Sequence, residues 1–185
     1  MARAPARTNR IALTGTPGTG KSSVAARLPR TWAPTEVGDL ALRWGVGLRR
    51  SSGVEVDLPR LRRRLRAASP TDRPWVIVGH LAHLLPVDAA VVLRCHPIEL
   101  GRRLARARPG DPRARRENVV AEATDIVLVE AVASGETVWE VDTTDRSVAS
   151  VARTVVRTVR QGGPSRFGRV DWLSDPRATA HLLEV

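Results

Sequence analysis

The chain has 185 residues, 42% of them hydrophobic, which is enough for one domain with a sizeable core and too little for two ordinary domains. Its net charge of +11 favours acidic partners, with nucleotides first and RNA or a ribonucleoprotein second. The lone cysteine, Cys95, excludes an internal disulfide and a cysteine-based metal site, and no apolar run reaches the roughly 18 residues of a membrane span. With no signal peptide expected in the basic start of the chain, we expect a soluble cytoplasmic protein without a membrane partner.

The most informative stretch, residues 15–22, fits the phosphate-loop pattern G-x-x-x-x-G-K-[ST] at every fixed position. A short buried strand is predicted before it, over residues 10–14, and a helix is predicted after it, over residues 22–28, which is the context that the motif requires. In such a loop, glycines let successive backbone N–H groups surround a phosphate at a helix N-terminus. Lys21 is then expected to reach the β- and γ-phosphates of a nucleotide, and Ser22 to hold Mg²⁺.

Composition gives a second argument for Lys21. It is the only lysine among the 30 basic residues, and the other 29 are arginine. An ammonium on a flexible stem is a compact point charge, which a planar guanidinium does not replace inside a tight phosphate loop. The lack of a second lysine also excludes the N-K-x-D element that reads guanine.

Downstream of the loop, helix and strand patterns alternate along the chain. The first predicted elements are a loop over 29–34, a short helix that carries Asp39 and ends near Gly45, a flexible segment over 45–53 and a helix over 58–68. Two buried strands are then predicted, over 75–78, followed by Gly79-His80, and over 87–93. The remaining elements are a helix over 98–107, a long helix over 113–134, a strand over 137–141 and a helix that is capped by Ser147 and ends near Arg160. This alternation predicts an α/β fold with a doubly wound parallel sheet. We divide the chain into a basic arm (1–9), a phosphate-loop domain (10–163) and a C-terminal tail (164–185), on whose order the sequence is silent.

Two features near the predicted strand ends are candidates for function. His80 follows a buried strand at the sheet edge where ligands of open α/β folds bind, although a lone histidine is as often structural. Arginines crowd the Pro-Gly turn over 109–112, where a mobile basic segment would supply positive charge and exclude water during phosphoryl transfer. The alternative is a solvated basic face. The arginines concerned are Arg102, Arg103, Arg106 and Arg108.

Taken in order, these residues resemble the small adenylate kinases found in archaea and in the eukaryotic nucleus, which also act as ribosome-assembly ATPases. The resemblance covers about residues 10–160 and rests on a collinear series of motifs: Leu-Thr-Gly-Thr-Pro-Gly-Thr-Gly-Lys-Ser (13–22), Val-Gly-Asp-Leu-Ala (37–41), Gly-His (79–80), Val-Val-Leu-Arg (91–94), Arg-Leu (103–104), Glu-Asn-Val (117–119), Ala-Glu (121–122), Val-Glu-Ala (129–131) and Glu-Val-Asp-Thr-Thr (140–144). It implies a phosphate-loop nucleoside monophosphate kinase fold and the reaction ATP + AMP ⇌ 2 ADP with Mg²⁺. It also implies a monophosphate-binding segment around residues 35–57 and a lid around residues 106–115.

The resemblance further implies roles for single residues. Thr143 would lie near the adenine, and Asp39 and Asp57 would belong to the monophosphate site. The lid arginine that faces ATP would be Arg108 rather than Arg106, because the turn here is one residue longer than in the family. The loop residues that would hold the ATP phosphates are Gly15, Gly18, Thr19, Gly20, Lys21, Ser22 and Ser23. The catalytic residues would be Lys21, Arg103, Arg108 and His80.

One departure from the family concerns magnesium. The family usually carries an acidic residue two positions before the histidine, where this chain has Val78. Mg²⁺ would then rest on Ser22, the phosphates and water, unless Asp39 or Asp57 reaches it. Losing a group that supports a metal typically costs about 10- to 100-fold, so weak kinase activity is compatible with this change.

The residues thus support one first hypothesis and two rivals. The first is an adenylate kinase that uses ATP and Mg²⁺, with AMP as substrate and with ATPase activity and a role in small-subunit maturation as additions. The second is a ribosome-assembly ATPase or binding factor with weak or no AMP kinase activity, whose partner would be a small-subunit ribosomal protein or rRNA. The third is a kinase for another small metabolite. A monomer or a weak dimer is expected in each case.

Overall fold

The computed structural model describes residues 9–51, 53–69, 72–107 and 109–184, and its centre is a five-stranded parallel sheet. The strands are β1 (Arg10–Thr14), β2 (Ala33–Glu36), β3 (Gly47–Arg50), β4 (Gly53–Val56), β5 (Trp75–Val78), β6 (Ala89–Arg94) and β7 (Thr137–Asp142). Five of them pair in parallel in the spatial order β2-β5-β1-β6-β7, and β3 with β4 forms a separate antiparallel hairpin. The carboxyl ends of all five strands therefore lie at one edge of the main sheet, and the phosphate loop that follows β1 lies at this edge.

Helices cover both faces of the sheet, which confirms the predicted doubly wound α/β fold. They are α1 (Lys21–Ala25), α2 (Val37–Arg43), α3 (Leu58–Ala67), α4 (Pro97–Ala107), α5 (Pro112–Ala123), α6 (Ile126–Ala133), α7 (Val148–Gln161) and α8 (Pro176–Glu184). One apolar core places Val24 of α1 and Val155 of α7 against the sheet, and a second core places Leu40 of α2, Leu61 of α3 and Leu128 of α6 against its other face. Burial from both sides explains why every residue of β6 is buried and why that strand reads as an almost continuous apolar run. None of the helices in the described ranges is long and apolar enough to cross a membrane.

Two segments that were predicted as a loop and as a flexible segment form strands instead. Residues 33–36 make the edge strand β2, which pairs in parallel with β5. The segment predicted to be flexible, over 45–53, contributes β3 and the start of β4. Residue 52 lies outside the described residues. Both predictions were wrong because these short strands lack an apolar run and are held by pairing with distant chain.

The long helix predicted over 113–134 was also wrong, since α5 and α6 are separate helices. Asp125 lies between them in the left-handed region, with φ of 58°. Its carboxylate accepts a hydrogen bond from the guanidinium of Arg94 at the end of β6. A tertiary ion pair therefore interrupts a pattern that local sequence would continue as one helix.

The C-terminal tail packs on the domain through several contacts. Arg166 forms an isolated parallel bridge with Trp139 of β7, and α8 contacts α4 and α5. The predicted boundary at residue 164 stays a prediction, as does the basic arm over 1–9, of which residues 1–8 lie outside the described residues.

Candidate active site

The phosphate loop leaves β1 at the carboxyl edge of the sheet and packs against the next strand, β6. Gly15, the first loop residue, has φ of 136°, and a Cβ at this position would lie 2.3 Å from the carbonyl oxygen of Leu93. Both the conformation and the close approach require glycine. Thr19 closes the loop by donating to the Thr16 carbonyl oxygen from its backbone N–H (3.2 Å) and from its hydroxyl (2.9 Å).

Lys21 points back into this loop. Its ammonium donates to the carbonyl oxygens of Gly15 at 2.8 Å and of Thr16 at 2.9 Å. Burial lowers the pKa of Lys21 to about 8, while the carboxylates of Glu36 and Glu122 act in the opposite direction. The loop thus holds a cation whose charge is partly desolvated, which a polyphosphate would stabilise.

This pKa predicts a pH dependence for nucleotide binding. Bound phosphates favour the charged form of Lys21, so its pKa should rise on binding, and binding should take up a proton above about pH 8. We expect ATP affinity to be flat from pH 7 to 8 and then to fall by up to about tenfold per pH unit. Calorimetry in two buffers of different ionisation enthalpy measures the proton uptake directly. Constant affinity up to about pH 9.5, with no proton uptake, would contradict this account.

Glu122, whose motif contributed to the family resemblance without a stated role, lies at the base of the loop. Its side chain is only 2% exposed, and one carboxylate oxygen accepts a hydrogen bond from the Thr16 hydroxyl at 2.6 Å. The other oxygen accepts from Arg94 Nε at 2.8 Å. Its position between Val119 and Ala123, on the apolar side of α5, is the sequence signal that would have indicated a buried carboxylate.

Arg94, at the end of β6, is the centre of this buried ionic cluster. Besides Glu122, its guanidinium donates to Glu140 at 2.7 Å and to Asp125. Burial alone would lower the pKa of Arg94, but the three carboxylates raise it. The strand end behind the phosphate loop is therefore fixed by a network of ion pairs.

The acidic candidates of the monophosphate segment have different surroundings. Asp39 is exposed on α2. Asp57 caps α3, where its carboxylate accepts from the backbone N–H of Arg60 at 3.0 Å. Glu36, which the sequence analysis did not select, ends β2 in register with Val78 of β5, and its charge acts on Lys21. The family resemblance predicts a carboxylate at position 78 on β5. Here a carboxylate, that of Glu36, lies on the neighbouring strand β2.

Arg103 and Thr143 meet on the other side of the loop. Arg103 of α4 donates to the Thr143 carbonyl oxygen at 3.1 Å and to its hydroxyl at 3.2 Å. Thr143 is buried and its hydroxyl donates to the Arg94 carbonyl oxygen at 2.7 Å. The helix α4 is therefore tied to the loop after β7, while Arg108 lies outside the described residues.

His80 follows β5 at the same edge, with an exposed side chain. Partial desolvation lowers its pKa, and the positive charge of Lys21 adds to this effect, so the imidazole is neutral at pH 7. A nearby histidine, His83, was missed by sequence reasoning: it is buried between the Thr14 hydroxyl at 2.9 Å and the Glu130 carboxylate at 3.0 Å. It links β1 to α6.

Comparison with known proteins identifies the family of this chain. Residues 11–125 match the family model described as an AAA domain. A protein of Thermococcus onnurineus, named "Putative adenylate kinase", is 38% identical over 164 residues, which are 88% of this chain and 90% of that protein. Proteins of the same name from Archaeoglobus fulgidus and Halobacterium salinarum are 40% and 36% identical, covering 89% and 88% of this chain and 92% and 97% of theirs. The chain belongs to this archaeal adenylate kinase-like family.

Two solved structures are also similar to this chain. A gluconokinase from Sinorhizobium meliloti superposes with a TM-score of 0.51 at 18% identity, over 84% of this chain and 93% of that one. An uncharacterised protein from Eubacterium ventriosum gives a TM-score of 0.53 at 13% identity, over 84% and 99%. At these identities the likeness shows the fold alone, which this chain shares with the gluconokinase.

Kinases with a phosphate loop typically use ATP together with Mg²⁺, and the hydroxyl groups at the start of α1 are of a kind that such an ion accepts as ligands. Ser22 and Ser23 are exposed at the start of α1, next in sequence to Lys21, whose ammonium is partly buried. The described residues contain no group of three or more His, Cys, Asp or Glu that could hold a metal by itself. Magnesium keeps several waters and is usually bound through one or two protein groups plus nucleotide phosphates, so the exposed hydroxyl of Ser22 is compatible with such a site.

Proposed function

We propose that the protein is an adenylate kinase that transfers the γ-phosphoryl group of Mg-ATP to AMP and releases two molecules of ADP. The observation that carries this proposal is the placement of Lys21 in a phosphate loop, with the α2 segment on one side and Arg103 on the other. The names of the family members support AMP as the acceptor. The two sides of the loop would then receive two nucleotides whose phosphates meet at Lys21.

The chemistry asks for little from the protein beyond position and charge. An ionised oxygen of the AMP α-phosphate forms a bond to the γ-phosphorus, and the bond from that phosphorus to the bridging oxygen of ATP breaks. The leaving group is ADP, and the acceptor oxygen carries no proton, so no general base is required. Lys21 would hold the β- and γ-oxygens, and Arg103 would add positive charge from the α4 side.

The remaining proposed roles are positional. The backbone of residues 15–20 and the hydroxyls of Ser22 and Ser23 would hold the ATP phosphates, and Thr143 would border the adenine. Asp39 and Asp57 would line the monophosphate side, and a neutral His80 would act as a hydrogen-bonding group. Arg108 would approach ATP from the lid. Magnesium, when bound, supplies charge neutralisation across the β- and γ-phosphates.

Glu36 would be the carboxylate that orients the magnesium ion. Its strand ends beside β5, in register with Val78, and its charge already acts on Lys21. We expect Glu36→Gln to raise the Mg²⁺ concentration required for tight ATP binding by about 10- to 100-fold. Adding Val78→Asp to that variant should recover much of the loss, because the new carboxylate stands on the neighbouring strand end.

The matched control for this experiment is Glu55→Gln, which removes a carboxylate that pairs with Arg50 at 2.8 Å on the β3–β4 hairpin. It should leave the Mg²⁺ requirement unchanged. The measurement is the ATP dissociation constant over a series of Mg²⁺ concentrations. If Glu36→Gln and Glu55→Gln give the same Mg²⁺ dependence, Glu36 has no role in the metal site.

AMP specificity is tested by a panel of monophosphates. Mg-ATP mixed with AMP, CMP, UMP or GMP should give ADP rapidly with AMP only. If another monophosphate is phosphorylated faster than AMP, that monophosphate is the acceptor. If gluconate is phosphorylated in the absence of any monophosphate, the acceptor is a sugar acid and not AMP.

A second function, binding to a small-subunit ribosomal precursor, is favoured by the net charge of +11. Contacts to RNA phosphates release counterions, so such binding weakens steeply with salt. Co-sedimentation with small-subunit precursors at low salt that is lost at high salt would support it. No association at low salt would exclude it.

A further inference from the structure

The buried carboxylate of Glu122 connects the phosphate loop to the C-terminal tail. One of its oxygens accepts from the Thr16 hydroxyl at 2.6 Å. The other accepts from three donors: Arg94 Nε at 2.8 Å, the backbone N–H of Cys95 at 3.0 Å and the indole Nε1 of Trp172 at 3.2 Å. A carboxylate that is 2% exposed requires such partners, and each of them restricts where it can lie.

The Thr16 end of this path lies inside the nucleotide site. The carbonyl oxygen of Thr16 is an acceptor for the Lys21 ammonium at 2.9 Å and for the hydroxyl of Thr19 at 2.9 Å. The hydroxyl of Thr16 is bound by Glu122, so the carboxylate holds the loop residue against which Lys21 is placed. A shift of Glu122 would therefore move Thr16, and with it the carbonyl oxygen that positions the Lys21 ammonium.

The other end of the path is anchored to the sheet by residues 165–175, here called the C-terminal strap. Arg166 extends the edge strand β7: its backbone N–H donates to the Val138 carbonyl oxygen at 2.8 Å, and its carbonyl oxygen accepts from the N–H of Glu140 at 2.9 Å. Three residues later, the N–H of Arg169 donates to the Glu140 carboxylate at 2.9 Å. Main-chain pairing thus sets the course of the strap before it reaches Glu122.

Trp172 is held in turn by a histidine at the start of α4. The ring of His96 meets the indole edge-to-face, with 5.1 Å between ring centroids. His96 Nε2 lies 3.2 Å from the Asp175 carboxylate, which belongs to the same strap. The indole N–H consequently has a fixed direction toward Glu122.

We propose that the C-terminal strap is a positioning element of the phosphate loop, acting along the path Trp172–Glu122–Thr16. The strap touches no part of the loop directly in this path, so Trp172 is a positioning residue and not a catalytic one. The inference rests on the proposed function in one respect, since ATP is taken as the ligand of the loop.

The test is the affinity for ATP of Trp172→Phe, measured calorimetrically with Mg²⁺ present. Phenylalanine keeps an aromatic ring beside His96 and removes the indole N–H that reaches Glu122, together with the rest of the five-membered ring. We expect the dissociation constant to rise about three- to tenfold. In a Thr16→Val background, the same substitution should have little further effect, because the path is already broken at its other end.

Trp75→Phe is the matched control. It removes an indole hydrogen bond of 3.1 Å to the Thr35 hydroxyl from a partly buried tryptophan that begins β5. It should lower thermal stability to a similar extent and leave ATP affinity unchanged. Equal ATP affinities for wild type, Trp172→Phe and Trp75→Phe would overturn the inference. So would full additivity of Trp172→Phe with Thr16→Val. If the wild type does not bind ATP, the proposed function itself fails.

Discussion

Lys21→Ala is expected to lower kcat/KM for ADP formation by about 10³-fold or more. The ammonium sits within the phosphate loop, 2.8 Å from the Gly15 carbonyl oxygen, at the position that a polyphosphate would share. Removing a preorganised positive group from a phosphoryl-transfer site typically costs about two to five orders of magnitude. Steady-state assays with Mg-ATP and AMP measure the effect.

Lys21→Arg separates geometry from charge in the same assay. It keeps the positive charge in a chain whose other 29 basic residues are already arginine. Because a planar guanidinium does not present the compact point charge of an ammonium, we expect a loss of about 10²-fold or more despite the retained charge. Arg27→Ala, at an exposed position shortly after α1, is the control and should stay within about twofold of wild type. Unchanged turnover of Lys21→Ala would mean that the loop does not bind the reacting phosphates.

Arg94→Met is expected to lower the free energy of unfolding by about 3–5 kcal/mol. Arg94 is 2% exposed and pairs with Glu122 and Glu140, whose side chains are each 2% exposed, as well as with Asp125. Methionine fills much of the same volume but leaves these carboxylates without their cation. Urea unfolding, followed by circular dichroism, gives the difference.

Two comparisons make that prediction specific. Arg113→Met removes an ion pair of 2.9 Å to Glu117 at a side chain that is 90% exposed, and it should cost at most about 1 kcal/mol. The double variant Arg94→Met, Glu122→Met should lose less than the sum of the two single variants, because each single variant strands a charge that the double one lacks. A loss below about 1 kcal/mol for Arg94→Met would show that the cluster contributes little to folding.

Local sequence was sufficient for the phosphate loop and its flanking elements. The pattern over 15–22, the apolar run before it and the lone lysine all concern neighbouring residues, and the structure places the loop at the carboxyl edge of the sheet. The buried strands β5 and β6 were predictable for a similar reason, since burial on both faces leaves a continuous apolar run.

The features that sequence reasoning missed depend on distant contacts. The strand β2 contains Pro34 and no apolar run, and it exists because β5 pairs with it. The break between α5 and α6 is set by the pair between Asp125 and Arg94. The role of Glu122 depends on Thr16, which is 106 residues away in the chain. None of these partners can be read from the local pattern.

The position of Glu36 beside Val78 depends on the register of two parallel strands. Val78 removes a carboxylate from one strand end, and parallel pairing brings Glu36 alongside it from the neighbouring strand. A sequence scan that considers each strand separately finds only the loss. Only the pairing of β2 with β5 reveals the carboxylate that we propose as its replacement.

The most direct test of the adenylate kinase proposal follows the γ-phosphoryl group itself. ATP labelled at the γ-phosphorus is mixed with the protein, Mg²⁺ and AMP, and the products are separated by chromatography. The proposal predicts that the label appears in ADP, that two ADP form for each ATP consumed, and that both depend on AMP and on Lys21. Release of the label as inorganic phosphate at the same rate with and without AMP would contradict it and would identify an ATPase instead.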